Sequence, residues 1–340
     1  MERIIQNLKT LCAITGVAGY EKSAAEKACE LLREYIPGAE CDLFGNVSGV
    51  LPSRKENAPT LLLDAHIDEI GMIVTSIDEK GFVRFAKCGG MDRRILSAQY
   101  VTVHGSRPVP GIIGSVPPHL QKKEDANKVP DFDAMFVDVG MTREEAEAVI
   151  SLGDRITVNS TFSLLLNDQV TSKALDDRAG VAAILETLEL LKNDAPNVNL
   201  AVQFSGREET GGQGCIISSF QMEPDMAIAL DVSFAATPDM EKSRYAELGK
   251  GVLIGIAPSL NKEMTDALLS VAKEKSIPWQ PEVMGGGTGT NADSIAVSRS
   301  GVRTGLLSIP QKYMHTPIEV VDVKDIRSAA ELMAEYIRTL

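Results

Sequence analysis

NLAVQFSGREETGGQG, residues 199–214, decides how this chain is read. Its first seven residues form a short apolar run of strand length, and Gly206 together with the glycines at 211, 212 and 214 marks the turn that ends it. Two adjacent carboxylates, Glu208 and Glu209, stand where that strand stops. A strand apolar on both faces belongs inside a sheet covered on both sides. The neighbouring sequence agrees. GVAAILETLELLK (180–192) has the length and apolar content of a helix, DMAIALDV (225–232) and VRTGLLSI (302–309) read as strands, and EMTDALLSVAKEK (263–275) and DIRSAAELMAEYIRTL (325–340) as helices. Helices alternating with short apolar strands predict an α/β fold with a mixed, mostly parallel sheet covered by helices. The N-terminal part fits the same unit. ERIIQNLKTLCAI (2–14) and SAAEKACELLREYI (23–36) are helical in spacing, while NVSGVLPS (46–53) and PTLLLDAHID (59–68) are extended.

Between these parts the pattern changes. GFVRFAKCGG, QYVTVHGSRP, VPGIIGSV, AMFVDVGM and DRITVNSTFSL are short strands punctuated by Gly and Pro, the pattern of a small β barrel or sandwich. The expected organisation is a discontinuous α/β domain, 1–68 and 165–340, split by an inserted β-barrel domain at 69–164. Residues 121–133, polar and broken by proline, are expected to form a loop.

Composition narrows the function. The 340 residues are 44% hydrophobic and 24% charged, an ordinary globular balance. A net charge of −13 without a basic cluster argues against nucleic acid as a partner. No apolar run reaches the ~20 residues of a membrane helix. The first sixteen residues lack a signal peptide's apolar block, so a cytoplasmic location is expected. Five scattered cysteines without C-x-x-C spacing argue against disulfides and thiolate zinc.

Five motifs fall at strand ends or adjoining turns of the α/β part: Ala65–Glu69, Lys173–Arg178, Glu208–Glu209, Leu230–Val232 and Tyr313–Pro317. Sites in open α/β sheets form beyond the carboxyl ends of strands. Histidines and carboxylates delivered there suit Zn²⁺ or Co²⁺. His66 and Asp68, two apart on an extended segment, point the same way. Glu208 and Glu209, if extended, diverge, so that one is free to ligate and the other to act as a base. Taken singly each has an ordinary reading: a His–Asp hydrogen bond, a solvated charge pair, a helix-capping Asp. Their recurrence at the strand ends of one domain argues for a site.

The ordered set AHIDEIG, GIIGSVPPHL, KALDDRAG, REETGGQG, ALDV, GTGTNADS and SIPQKYMHTPIEVV resembles the TET-type dinuclear metal aminopeptidases over nearly the whole chain. That family includes glutamyl, leucyl and lysyl aminopeptidases, and some members carry an endoglucanase label. The resemblance implies two divalent metal ions per subunit, zinc or cobalt, with Asp176 bridging them and His66, Asp231, Glu209 and His315 as end ligands. It places catalytic roles on Glu208, the general base, and on Asp68, which would steer His66. It further implies a cis Asp176–Asp177 peptide, and dimers formed through the insert that assemble into a tetrahedral dodecamer. The expected function is removal of N-terminal residues from peptides with a free N-terminus. The alternative is a carboxypeptidase or amide deacylase on the same scaffold. Two positions depart from the family pattern: Asn291 stands where Asp is usual, and Lys312 where Arg is common. Which N-terminal residue is preferred stays open, with Arg207, Lys250 and Lys312 as nearby cations.

Overall fold

A computed structural model describes residues 1–120, 128–238, 240 and 245–340. Residues 121–127 of the expected loop lie outside these; the rest of that stretch runs into a single 3₁₀ turn at Phe132–Ala134. An 11-stranded sheet forms the larger part. At its centre Asn199–Ser205, Thr60–His66, Met226–Phe234 and Arg303–Lys312 run parallel to one another. Antiparallel strands flank them, Val47–Leu51 on one side and Glu319–Asp322 and Gln169–Ser172 on the other. The mixed sheet is therefore present as the sequence pattern predicts, but it is parallel mainly through its four central strands, and most of the pairings around them are antiparallel.

Strand alternation sorts the residues of this sheet into two unlike faces. Leu61, Leu63, Leu200, Val202, Phe204, Ile228, Leu230 and Leu307 share the main core with the helices Glu2–Cys12, Lys22–Arg33, Leu175–Leu190, Lys262–Glu274 and Val323–Thr339. The other face carries a small cluster, in which Leu62, Ala201, Ala227, Ala229 and Leu306 meet Cys215, Ala292 and Ile295. These last three come from the shorter helices Gln213–Met222 and Asn291–Ala296, which the sequence reading did not pick out. Near the carboxyl ends of the strands this thinner face turns polar: Asp64, His66, Gln203, Ser205, Asp231 and Ser308 are all buried and follow the same alternation. Polar side chains concentrated at one end of one face are what a site requires of a sheet.

The second part is a closed six-stranded barrel of Gly71–Ile77, Val83–Cys88, Val137–Asp138, Pro108–Ile113, Tyr100–His104 and Arg155–Val158. Met72, Val74, Phe85, Val101, Val103, Val109, Ile113 and Ile156 fill it, and closure leaves no open sheet edge. Ser163–Leu164 pairs with Gln169–Ser172 of the large sheet and not with the barrel. Among the described residues no helix is long and apolar enough to cross a membrane.

Candidate active site

The five motifs converge. His66 is the last residue of its strand, and Asp231 lies in Met226–Phe234, two strands that pair directly. Asp176 stands at the start of the helix Leu175–Leu190, where it and Asp177 leave helical geometry and the peptide between them is cis. Glu208 and Glu209 open a 3₁₀ turn behind Arg207, whose backbone is left-handed. His315 comes from the connection between Arg303–Lys312 and Glu319–Asp322.

Asp176 is the centre of the arrangement. Its Oδ1 lies 2.9 Å from His66 Nε2, and its Oδ2 lies 3.3 Å from His315 Nε2. His66 Nε2 is also 3.9 Å from Asp231 Oδ1, and His315 Nε2 is 3.4 Å from Glu209 Oε1. Two triads of donor atoms result, His66–Asp176–Asp231 and Asp176–Glu209–His315, each with its atoms within 4.8 Å of one another. Glu208 faces the same space, in a cavity of about 510 Å³ whose walls include Asp176, Glu209, Asp231 and His315.

The electrostatics are those of too many carboxylates in one place. Burial pushes Asp231 well above the usual carboxylate range, and the charges of Asp177 and Asp176 add to this. Burial, then the Glu209 charge, pushes Glu208 up to about 7 despite the pull of His66. Burial also raises Asp176, but hydrogen bonds from His315 and His66 outweigh it and hold that carboxyl low. The imidazoles respond in the opposite sense. Burial disfavours charge on both, yet His66, bonded to Asp176 and Asp68, is held well above its usual value, and His315, bonded to Asp176 and Glu209, is raised to about 11. Four carboxylates against two imidazoles, all oxygen and nitrogen donors without a thiolate, make a set that fits divalent cations of the zinc or cobalt kind.

Asp68 does more than its spacing suggests. Its carboxylate accepts hydrogen bonds from the backbone N–H of Glu208 at 3.0 Å and of Glu209 at 3.2 Å. Its Oδ1 also lies 3.5 Å from His66 Nδ1, whose nearer neighbour is the Asp68 backbone oxygen at 3.2 Å. One buried carboxylate thus ties the imidazole to the turn that carries both glutamates. The two glutamates diverge as expected but for a different reason: successive residues on a 3₁₀ turn lie about 120° apart.

Three contributions were not visible in the spacing. Glu319 accepts from the backbone N–H of both Asp176 and His315, at 3.2 and 3.0 Å, and so joins two motifs. It lies within the quoted SIPQKYMHTPIEVV run, four residues past His315, which was the available signal. Gly90, just beyond a barrel strand, accepts from His315 Nδ1 at 3.1 Å, and a Cβ there would collide with the imidazole. Asn291 donates to Asp64 and to Ser205, each at 2.8 Å. Of the three nearby cations, Arg207 turns away to lie over the Phe44 ring, and neither Lys250 nor Lys312 lines the cavity. His104 bonds Thr157 inside the barrel unit and takes no part.

An α/β sheet whose parallel strands end in paired carboxylates and imidazoles around a cavity defines a hydrolytic enzyme. The chain belongs to the M42 glutamyl aminopeptidase family, whose sequence profile matches residues 45–332. It is 33% identical to a lysyl aminopeptidase of Pyrococcus furiosus over 98% of this chain and 96% of that one. Among solved structures it superposes on a TET aminopeptidase from a marine-sediment thaumarchaeon with a TM-score of 0.94, at 29% identity, covering 100% of this chain and 97% of the other. The TET1 peptidase of Pyrococcus horikoshii gives a TM-score of 0.86 at 29% identity, covering 99% of this chain and 100% of that one, and is described as assembling into a tetrahedron or a large octahedral shell. The protein is an aminopeptidase.

Proposed function

We propose that this chain removes N-terminal residues from peptides with two divalent cations, zinc or cobalt, and with Glu208 as general base. The observation that carries this reading is Asp176 standing between two donor triads, with Glu208 beside them in the same cavity. His66, Asp176 and Asp231 would hold one cation, and Asp176, Glu209 and His315 the other. When bound, such ions would polarise the scissile carbonyl and acidify a water.

The remaining work falls to the side chains. Glu208, with a carboxyl near 7, can accept a proton from the attacking water on a carboxylate oxygen and release it to the leaving amine nitrogen. Asp68 positions that base through the backbone N–H groups of Glu208 and Glu209, and orients the imidazole of His66. Glu319 fixes Asp176 relative to His315. Replacing Glu208 by Gln keeps shape and removes the base: metal content should be unchanged while hydrolysis of aminoacyl-nitroanilides falls by about 10²–10⁴-fold. Unchanged turnover at unchanged metal content would remove Glu208 from this role. N-acetylated peptides should be inert; cleavage of them would favour the amide deacylase.

Assembly belongs to the same proposal. Tyr100 and Ile112 on the barrel, Leu165 and Leu166 in the edge hairpin of the large sheet, and Ile318 near the site are exposed apolar side chains, consistent with an interface that leads to dimers and a tetrahedral dodecamer in the cytoplasm. A monomer by light scattering at micromolar concentration with metal present would contradict it. Family membership leaves the preferred N-terminal residue open, since the family description says glutamyl and the Pyrococcus furiosus relative is named lysyl.

A further inference from the structure

The cavity beside the two triads extends past them to a carboxylate that the reaction does not use. Asp231 pairs in register with Ser308 on the neighbouring parallel strand, so both side chains rise from the same face. Ser308 Oγ donates to Glu282 Oε2 at 2.7 Å, and Asp231, Ser308 and Glu282 all line the cavity. Glu282 comes from Trp279–Val283, two strands further out, where it registers with Gly255. Gly255 has no side chain on the sheet between them; a Cβ there would lie 2.9 Å from that of Leu306. The carboxylate of Glu282 is thus drawn inward over a bare strand and anchored by a buried serine. From Asp231 it stands about two strand spacings away, roughly 7–10 Å.

Among the described residues Glu282 has no lysine or arginine partner within ion-pair distance, and none lines the cavity. Between the triads and Glu282 the wall is mixed, with the hydroxyls of Ser233, Thr288, Thr290 and Ser308 beside Phe234 and Leu306. A cavity without lysine or arginine that ends in one carboxylate beyond the triads complements a side chain long enough to place a cationic tip there. It repels a carboxylate and gains nothing polar from an aliphatic side chain.

We propose that this cavity receives the N-terminal side chain of the substrate and that Glu282 selects a cationic one, lysine or arginine. The inference rests on the aminopeptidase reading above and names its substrate class. Glu282 acts on the substrate's side chain and not on the reacting bond, so its loss should separate cationic from neutral substrates.

The test is a panel of Lys-, Arg-, Leu- and Glu-p-nitroanilides with wild type, Glu282→Gln and Glu282→Lys, at saturating Co²⁺ or Zn²⁺. Gln can still accept the Ser308 hydrogen bond, so the fold of the pocket is kept. Wild type should show kcat/KM for Lys and Arg about 10- to 100-fold above Leu and Glu, as loss of a hydrogen-bonded charge pair implies. Glu282→Gln should remove that advantage and leave the Leu substrate within about twofold, and Glu282→Lys should favour Glu. A wild type that prefers Leu or Glu, or a Glu282→Gln variant that depresses every substrate equally, overturns the assignment while the aminopeptidase reading stands. Glu208→Gln must instead silence all substrates alike. If none of the four is cleaved, calorimetric titration with L-lysinamide and L-leucinamide decides. Lysinamide binding that is tighter, and weakened in Glu282→Gln, upholds the pocket; equal binding of the two overturns it.

Discussion

Replacing Asp68 by Asn is the most informative change to the machinery around the triads, because it removes a charge and turns one acceptor into a donor while keeping shape. The Asp68 carboxylate accepts from Glu208 N–H and Glu209 N–H on its two oxygens, and Oδ1 also lies 3.5 Å from His66 Nδ1. An amide has one acceptor oxygen, so its NH₂ must face one of the two backbone donors. One charge-assisted bond is lost and one buried N–H is left without a partner, together about 2–3 kcal/mol. If the turn carrying Glu208 moves in response, kcat/KM should fall by about 30- to 150-fold, since each 1.36 kcal/mol is tenfold. The effect should sit mainly in kcat, because Asp68 does not line the substrate cavity. Steady-state kinetics on an aminoacyl-nitroanilide at saturating metal, with a metal titration alongside, measure both parts. A variant with wild-type kcat/KM and wild-type metal affinity would refute the positioning role.

Two further outcomes follow from other features. Arg178 is fully buried and donates to the backbone oxygens of Leu11, Ile14 and Ile67 while lying 3.4 Å from Glu69; Arg178→Met should cost about 3–5 kcal/mol in denaturant unfolding, and a loss below about 1 kcal/mol would show those contacts to be dispensable. The carboxyl of Glu208 stands near 7 through burial and then the Glu209 charge. Since the base must be deprotonated to work, kcat/KM should rise with pH and level off once that group has ionised. Bound cations favour the carboxylate, so the midpoint should lie at or below about 7; a rate that falls with rising pH over this range would contradict the assignment.

Much of this was legible in the chain, for reasons that differ by element. The central strands are apolar on both faces, so their runs stand out, and their ends coincide with the His and carboxylate motifs. The barrel strands are short but separated by Gly and Pro, which made the insert visible, although Gly71–Ile77 was missed directly behind AHIDEIG. What escaped was what depends on three dimensions. The role of Asp68 as acceptor for the glutamate turn arises because the strand of His66 pairs in register with the strand ending at Ser205. Glu319, Gly90 and Asn291 act through backbone groups and buried amides, which no spacing rule reports. Glu282 lies on a strand that was not read at all, and its inward course depends on a bare glycine in a neighbouring strand. Arg207 stands next to the working pair in sequence, yet a left-handed backbone turns it onto Phe44.

Metal stoichiometry decides whether Asp176 is shared between two cation sites, as proposed. Elemental analysis of protein loaded with Zn²⁺ or Co²⁺ and then dialysed should give about two ions per chain for wild type. His315→Ala should keep about one, because His66, Asp176 and Asp231 still form a complete triad. Fully active wild type with a single ion per chain, or a His315→Ala variant that retains both, would contradict it.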